Sequence, residues 1–103
     1  MVKYLKKEYV FIHFEKSEKP LKKYKAILQN KKTGKNVSIH FGGIRDNGKP
    51  YEQWKDSTGL GLYTKYNHRD KERRKRYQNR HNKEKPSFKK YWSAGYFSWK
   101  YLW

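Results

Sequence analysis

Apolar and polar side chains alternate along two stretches in the first half of the chain, with the period of two that is typical of β-strands. The stretches are residues 23–30 and 36–41, and their main apolar positions are Tyr24, Ala26, Leu28, Val37, Ile39 and Phe41. Between them, residues 30–35 are polar and contain Gly34, which can adopt the positive φ that many hairpin turns require. The pattern predicts a β-hairpin over about residues 23–41, with a cationic turn at its tip.

A further strand is predicted over residues 8–15, which are rich in β-branched and aromatic side chains. Both faces of this strand are largely apolar, with Phe11 on one and Ile12 on the other, so we expect the strand to be covered on both sides. Together with the hairpin it predicts a small three-stranded antiparallel sheet. Tyr51 and Trp54, in the loop that follows the hairpin, are expected to pack back on this sheet.

The most strongly basic stretch is residues 69–83, which contain eight Lys or Arg against two acidic residues and neither Pro nor Gly. These residues are mostly good helix formers, and Asn67 or Asp70 is placed to cap the start of a helix. A basic helix is therefore predicted over about residues 69–83, closed off by Pro86. Because it has almost no apolar stripe to bury, it is interpreted as a phosphate-binding helix or as a solvated helix, and the net charge favours the first.

The C-terminal segment, residues 91–103, is aromatic at seven of its thirteen positions. Ser93 is placed to cap a short helix whose buried side would consist of Ala94, Phe97, Tyr101 and Leu102. One interpretation is a stacking platform for nucleobases. The favoured one is core packing, because a chain poor in aliphatic residues needs aromatic side chains to build a core.

Charge is spread over the whole chain and is not confined to a tail. The 103 residues, a length that suits one domain (1–103), hold 27 Lys and Arg against 9 Asp and Glu, a net charge of +18. Residues 1–50 and residues 51–103 each carry +9. Self-repulsion of this size favours a polyanionic partner. No signal peptide or transmembrane run is visible, so we expect a protein that is not secreted and has no membrane partner.

Motifs for catalysis or cofactor binding are missing from the sequence. There is no Cys, which excludes disulfides and thiol catalysis. The four histidines show no metal-ligand spacing, and no nucleophile elbow, P-loop or dinucleotide fingerprint occurs. His68 and Asp70 are close in sequence, and a capping or hydrogen-bonding role is preferred for them over a metal or general-base role. We expect neither an enzyme nor a cofactor, a metal or a small-molecule substrate.

Three motifs occur in an order that resembles a family of short basic proteins encoded by large nucleocytoplasmic DNA viruses. They are His40-Phe41-Gly42-Gly43; Asp70-Lys71-Glu72-Arg73-Arg74 followed by Tyr77 and Arg80-His81; and Ser93-Ala94-Gly95 with Phe97-Ser98 and Leu102-Trp103. The resemblance covers roughly residues 24–103, and this chain has longer connections at residues 47–50 and 56–62. It implies a viral source, with the protein in the virion or in the viral replication compartment of the host cell.

The function predicted from these observations is largely sequence-independent binding of nucleic acid through its phosphates, serving to package or condense a genome. DNA is the preferred partner over RNA. The predicted contacts are Arg69, Lys71, Arg73, Arg74, Lys75, Arg76 and Arg80 on the helix and Lys31, Lys32 and Lys35 at the hairpin tip. The alternative is a minor capsid or inner-shell component that binds other virion proteins through exposed aromatic anchors.

Overall fold

The computed structural model describes residues 4–103 and shows the predicted α+β fold. The strands are β1 (Tyr4–Leu5), β2 (Tyr9–Lys16), β3 (Lys22–Asn30), β4 (Asn36–Gly43) and β5 (Tyr91–Trp92), and the helices are α1 (Lys71–Arg80) and α2 (Ala94–Tyr101). Short 3-10 helices cover Thr64–Tyr66 and Asn82–Lys89. The three-stranded antiparallel sheet is confirmed, in the order β2-β3-β4. A second small sheet, in which β1 pairs with β5, was not predicted.

The predicted hairpin is formed by β3 and β4 and supplies the centre of the core. Tyr24 pairs with Phe41, and Ala26 pairs with Ile39, so the alternating apolar side chains of both strands share one face. That face is buried, with Tyr24, Ala26 and Phe41 fully inaccessible to solvent. At the tip, the Asn30 side chain accepts hydrogen bonds from two turn amides, which accounts for the tight turn.

Strand β2 is covered on one face only, which corrects the expectation of two covered faces. A β-bulge at Ile12 interrupts its pairing with β3, because Phe11 pairs with Leu28 and Phe14 pairs with Ala26. The extra residue lets Phe11 and Phe14 face the core together and turns Ile12 towards solvent, where it is 46% exposed.

Helix α2 packs against β4 and closes the core with aromatic rings. Ser93 caps it as predicted, since its hydroxyl accepts a hydrogen bond from the Tyr96 amide at 3.1 Å. Phe97 is fully buried, and its ring stacks on that of Trp92 with centroids 5.6 Å apart and an angle of 4° between their planes. Leu102 is buried beside it. Side chains of the aromatic C-terminal segment therefore form part of the core, in agreement with the interpretation favoured from sequence.

Helix α1 is shorter than the predicted 69–83, since it begins at Lys71 and ends at Arg80. The chain then continues as a 3-10 helix through Pro86, so this residue does not end the helical region. Of the two loop residues expected to pack on the sheet, Tyr51 lies against Gly43 of β4, although it is 51% exposed. Trp54 instead lies against the Arg74 guanidinium of α1. Within residues 4–103, no helix has the length and apolar composition that crossing a membrane requires.

Candidate nucleic-acid interface

The start of α1 is held by side-chain hydrogen bonds that the local sequence supplies. Asp70 Oδ1 accepts from the amides of Glu72 at 2.9 Å and Arg73 at 3.3 Å. These amides, that of Arg73 first, keep the pKa of Asp70 below its ordinary value. His68 Nδ1 in turn accepts from the Asp70 amide at 2.8 Å, so the pair has the capping role preferred from sequence. Arg69, between them, adopts a φ of +53°.

One of the predicted phosphate contacts on α1, Arg74, makes an internal contact. Its Nε donates to the main-chain oxygen of Trp103 at 2.8 Å, and its guanidinium lies 4.8 Å from the ring centre of Trp54. Arg74 is half-buried by these contacts. Its first role is to attach α1 to the C-terminal segment, and less of its guanidinium remains free for a phosphate.

The other nine predicted cations are open to solvent to a greater or lesser degree. Arg73 is half-exposed and lies 3.6 Å from Glu52 in an ion pair. Within residues 4–103 the structure gives no ion pair to the other eight, and all of these are exposed: Lys31, Lys32, Lys35, Arg69, Lys71, Lys75, Arg76 and Arg80. Their charge is therefore available to an external anion.

Helix α1 is packed against the C-terminal segment by a row of rings. Tyr77 and Trp103 are stacked, with centroids 4.4 Å apart and planes within 5°. His81 lies 4.3 Å from Tyr77, and His68 lies 5.1 Å from Trp103. Burial, with a contribution from the negative charge of Glu84, raises the pKa of Tyr77 to about 12. The row fixes the face of α1 that carries Arg73 and Arg80 beside Trp103.

A groove of about 700 Å³ opens between this face of α1, the end of the hairpin and α2. Its cations come from separate parts of the chain: Lys22 from β3, Arg45 from the following loop, and Arg73 and Arg80 from α1. A second groove of about 410 Å³ runs along α1 and shares Arg73, Arg80 and Trp103 with the first. We call these two neighbouring spaces the main groove and the side groove.

The main groove has a positive lining that also includes apolar residues, among them Phe41, Leu102 and Trp103. Five basic residues line it against the two carboxylates of Glu52 and Glu84. The fifth cation, Lys23, is buried below it, and its Nζ donates to the Tyr51 carbonyl at 2.6 Å and to Gln53 Oε1 at 2.5 Å. Burial lowers the pKa of Lys23 to about 8, so the amine still carries its charge at pH 7.

Glycine at the end of β4 lets neighbouring side chains of the main groove lie close to the backbone. The Gly42-Gly43 pair combines a bend of the backbone with a close approach to a side chain. Gly42 has a φ of +79°, and a Cβ on Gly43 would lie 2.9 Å from the ring of Tyr51. The Tyr51 ring is in turn stacked by the Arg45 guanidinium at 4.4 Å.

The structure does not bring the two predicted cationic patches together. The groove lies at the Lys22 end of β3, whereas Lys31, Lys32 and Lys35 follow its other end. A nine-residue strand at about 3.3 Å per residue separates them by roughly 26 Å. The hairpin tip is therefore a separate cationic surface.

Sequence reasoning missed Lys22, Arg45 and Tyr51 as groove residues, and no local motif marks these three. Trp103 belongs to the aromatic segment for which a stacking platform was the less favoured interpretation. Elsewhere, Lys25 forms ion pairs with Glu15 and Glu18 on the uncovered sheet face. The imidazoles of His13 and His40 lie close to the same two carboxylates. Among residues 4–103 there is no group of three His, Asp or Glu side chains that could hold a metal ion.

Comparison of the chain with protein-family models, with curated proteins and with solved structures found no match. The resemblance to proteins of large DNA viruses stays a prediction.

Proposed function

We propose that this protein binds nucleic acid largely independently of sequence, through contacts to phosphates. The observation that carries the proposal is a set of exposed cations on α1, Lys71, Lys75 and Arg76, on a protein of net charge +18. Within residues 4–103 none of the three forms a salt bridge. Cations that no internal carboxylate neutralises gain most from a polyanion, because its binding releases condensed counterions.

The mode of contact follows from the types of these three residues. Arg76 can form paired hydrogen bonds with a phosphate, whereas Lys71 and Lys75 act as point charges on flexible side chains. Phosphate contacts position a protein on nucleic acid but read no sequence. Such binding suits a protein that packages or condenses a genome, in the virion or in the replication compartment of the large DNA virus that the sequence resemblance implies. DNA remains the preferred partner.

A salt titration of binding to a random-sequence DNA duplex tests the proposal. The variant Lys71→Ala/Lys75→Ala/Arg76→Ala removes three exposed charges from α1 and keeps the internal contacts of Arg74. The control Lys7→Ala/Lys16→Ala/Lys19→Ala removes the same charge from exposed positions outside the predicted contacts. Circular dichroism verifies the fold of each variant.

We expect the affinity of the wild type to fall steeply with salt, by roughly 10³–10⁵ between 50 and 200 mM if six to ten phosphates are contacted. Loss of three contacts should make the slope of the logarithm of the binding constant against the logarithm of the salt concentration shallower by about 2.7. The control variant should change this slope by less than about 1. Equal changes in both variants would show that α1 is not the contact surface. No binding at 50 mM salt would refute the proposal.

A second variant, Lys31→Ala/Lys32→Ala/Lys35→Ala, tests the hairpin tip separately. Because the tip lies about 26 Å from the groove along β3, its effect on the salt slope should add to that of the α1 variant. An unchanged slope would remove the tip from the interface and leave α1 in it.

A further inference from the structure

We infer that the main groove binds unpaired nucleotides, with phosphates at its cations and a base against its aromatic side chains. This inference rests on the proposed function and deepens it, since it names single-stranded nucleic acid as the ligand of this site. The observation that supports it is that cations and aromatic side chains line the same groove. The cations are Arg45, Arg73 and Arg80, and the aromatic side chains are Tyr51 and Trp103.

The volumes of the two grooves are large enough for nucleotides of a single strand. The main groove, at about 700 Å³, lies within the range of sites that enclose small organic ligands. The side groove continues from it along α1 and shares Arg73, Arg80 and Trp103. Because the two grooves share these three residues, consecutive nucleotides of one strand can occupy both of them.

The chemistry of the lining matches a nucleotide better than it matches a bare phosphate. Cations alone would suffice for phosphate, but this groove is also lined by aromatic side chains. Tyr51 is 51% exposed, with the Arg45 guanidinium over its ring, and Trp103 is half-exposed, with Tyr77 stacked on it. Sites for single strands combine a positive groove with aromatic side chains, because a base offers its π face only when it is unpaired. In a duplex that face is covered by neighbouring base pairs.

The small residues of α2 leave room for a base. Ala94, Gly95 and Ser98 form this wall of the groove, and none carries a long side chain into it. Ser98 is therefore the position at which a larger side chain can obstruct the space without changing the charge.

The test compares three labelled ligands by fluorescence anisotropy at one salt concentration. They are a twelve-residue oligothymidylate, an abasic strand of the same length and phosphate content, and a DNA duplex. The protein is used as wild type, as Ser98→Trp, and as the control Ser38→Trp, which places the same side chain on an exposed position of β4. Ser98→Gln is a smaller obstruction that serves if circular dichroism shows Ser98→Trp to be misfolded.

We expect the wild type to bind oligothymidylate about tenfold more tightly than the abasic strand, which corresponds to one stacked base. Ser98→Trp should reduce this ratio to within about twofold and leave duplex binding unchanged, and Ser38→Trp should behave as the wild type. Equal binding of oligothymidylate and the abasic strand would overturn the inference and leave the proposed function standing. So would a base preference that the Ser98 variants do not reduce. No binding of any of the three ligands would overturn both.

Discussion

Arg74 and Trp103 are joined by a hydrogen bond of 2.8 Å from the Arg74 Nε to the main-chain oxygen of Trp103. The same guanidinium lies over the ring of Trp54, so one arginine contacts both the loop after the hairpin and the C-terminal segment. The most basic helix of the protein is thereby attached to the core through one of its own cations. Of its other cations, Arg73 and Arg80 line the main groove, and Lys71 and Lys75 are exposed to solvent.

Arg74→Lys should therefore destabilise the fold although the charge is kept. Lysine lacks the Nε–H at this position and the planar group that stacks on Trp54, so we expect a loss of about 1–3 kcal/mol in the free energy of unfolding. Arg76→Lys, at an exposed position of the same helix, should change it by less than about 0.5 kcal/mol. Urea denaturation measures both, and equal effects would show that the Arg74 contacts contribute nothing.

Arg69→Gly should raise stability. Arg69 has a φ of +53°, in the left-handed region where a side chain costs about 1–2 kcal/mol and glycine is unstrained. Glycine also increases the entropy of the unfolded chain, which offsets part of this gain. We therefore expect the free energy of unfolding to rise by about 0.5–1 kcal/mol. Arg69→Ala removes the same charge but keeps the strain, so it is the matched control. A midpoint of thermal unfolding that is no higher for Arg69→Gly than for Arg69→Ala would contradict the prediction.

Gly42→Ala should cost more than Gly34→Ala, although both glycines have a positive φ, of +79° and +72°. A Cβ on Gly34 meets no atom within 4 Å, whereas one on Gly42 would lie 3.1 Å from Lys23 Cβ and 3.2 Å from Leu102 Cδ1. At Gly34 we expect backbone strain alone to lower the free energy of unfolding by about 1–2 kcal/mol. At Gly42 the close contacts of the added Cβ should lower it by about 1–3 kcal/mol more. Chemical denaturation of the two variants should show this difference. Equal losses of stability would mean that Lys23 and Leu102 move aside without cost and would contradict the prediction.

The buried amine of Lys23 should make stability rise with pH. Burial lowers its pKa to about 8 in the folded protein, from an ordinary value near 10.4. Between these values the unfolded chain binds more protons than the folded one, so the free energy of unfolding increases with pH, by at most about 1.4 kcal/mol per unit. The opposite contribution of Tyr77, whose pKa is raised to about 12, begins only near pH 10.

Urea denaturation between pH 7 and 9.5 measures this dependence. Lys23→Met should lose the rise above pH 8, while Lys22→Met, which changes the half-exposed neighbouring lysine, should retain it. Parallel pH profiles for the wild type and Lys23→Met would refute the assignment.

Several elements were predictable because their causes lie within a few residues. The hairpin follows from alternation on either side of a turn with Gly34, and the helix starts follow from the side chains of Asp70 and Ser93. The bulge at Ile12 was not predictable, because both faces of that stretch are apolar and only the partner strand decides which face is covered. The cations were predicted from charge alone, which does not distinguish Arg74, held inside, from Arg76, exposed to solvent.

The sequence by itself determined the α+β composition, the antiparallel hairpin, the basic helix with its cap and the strongly positive surface, since alternation, capping and charge are local properties. Only the tertiary structure decided that Arg73 and Arg80 face a groove shared with Lys22, Arg45 and Trp103, and that the hairpin tip lies far from it. Contacts such as that between Lys23 and Gln53 join residues thirty positions apart. Their geometry depends on the packing of the whole core, which no local pattern encodes.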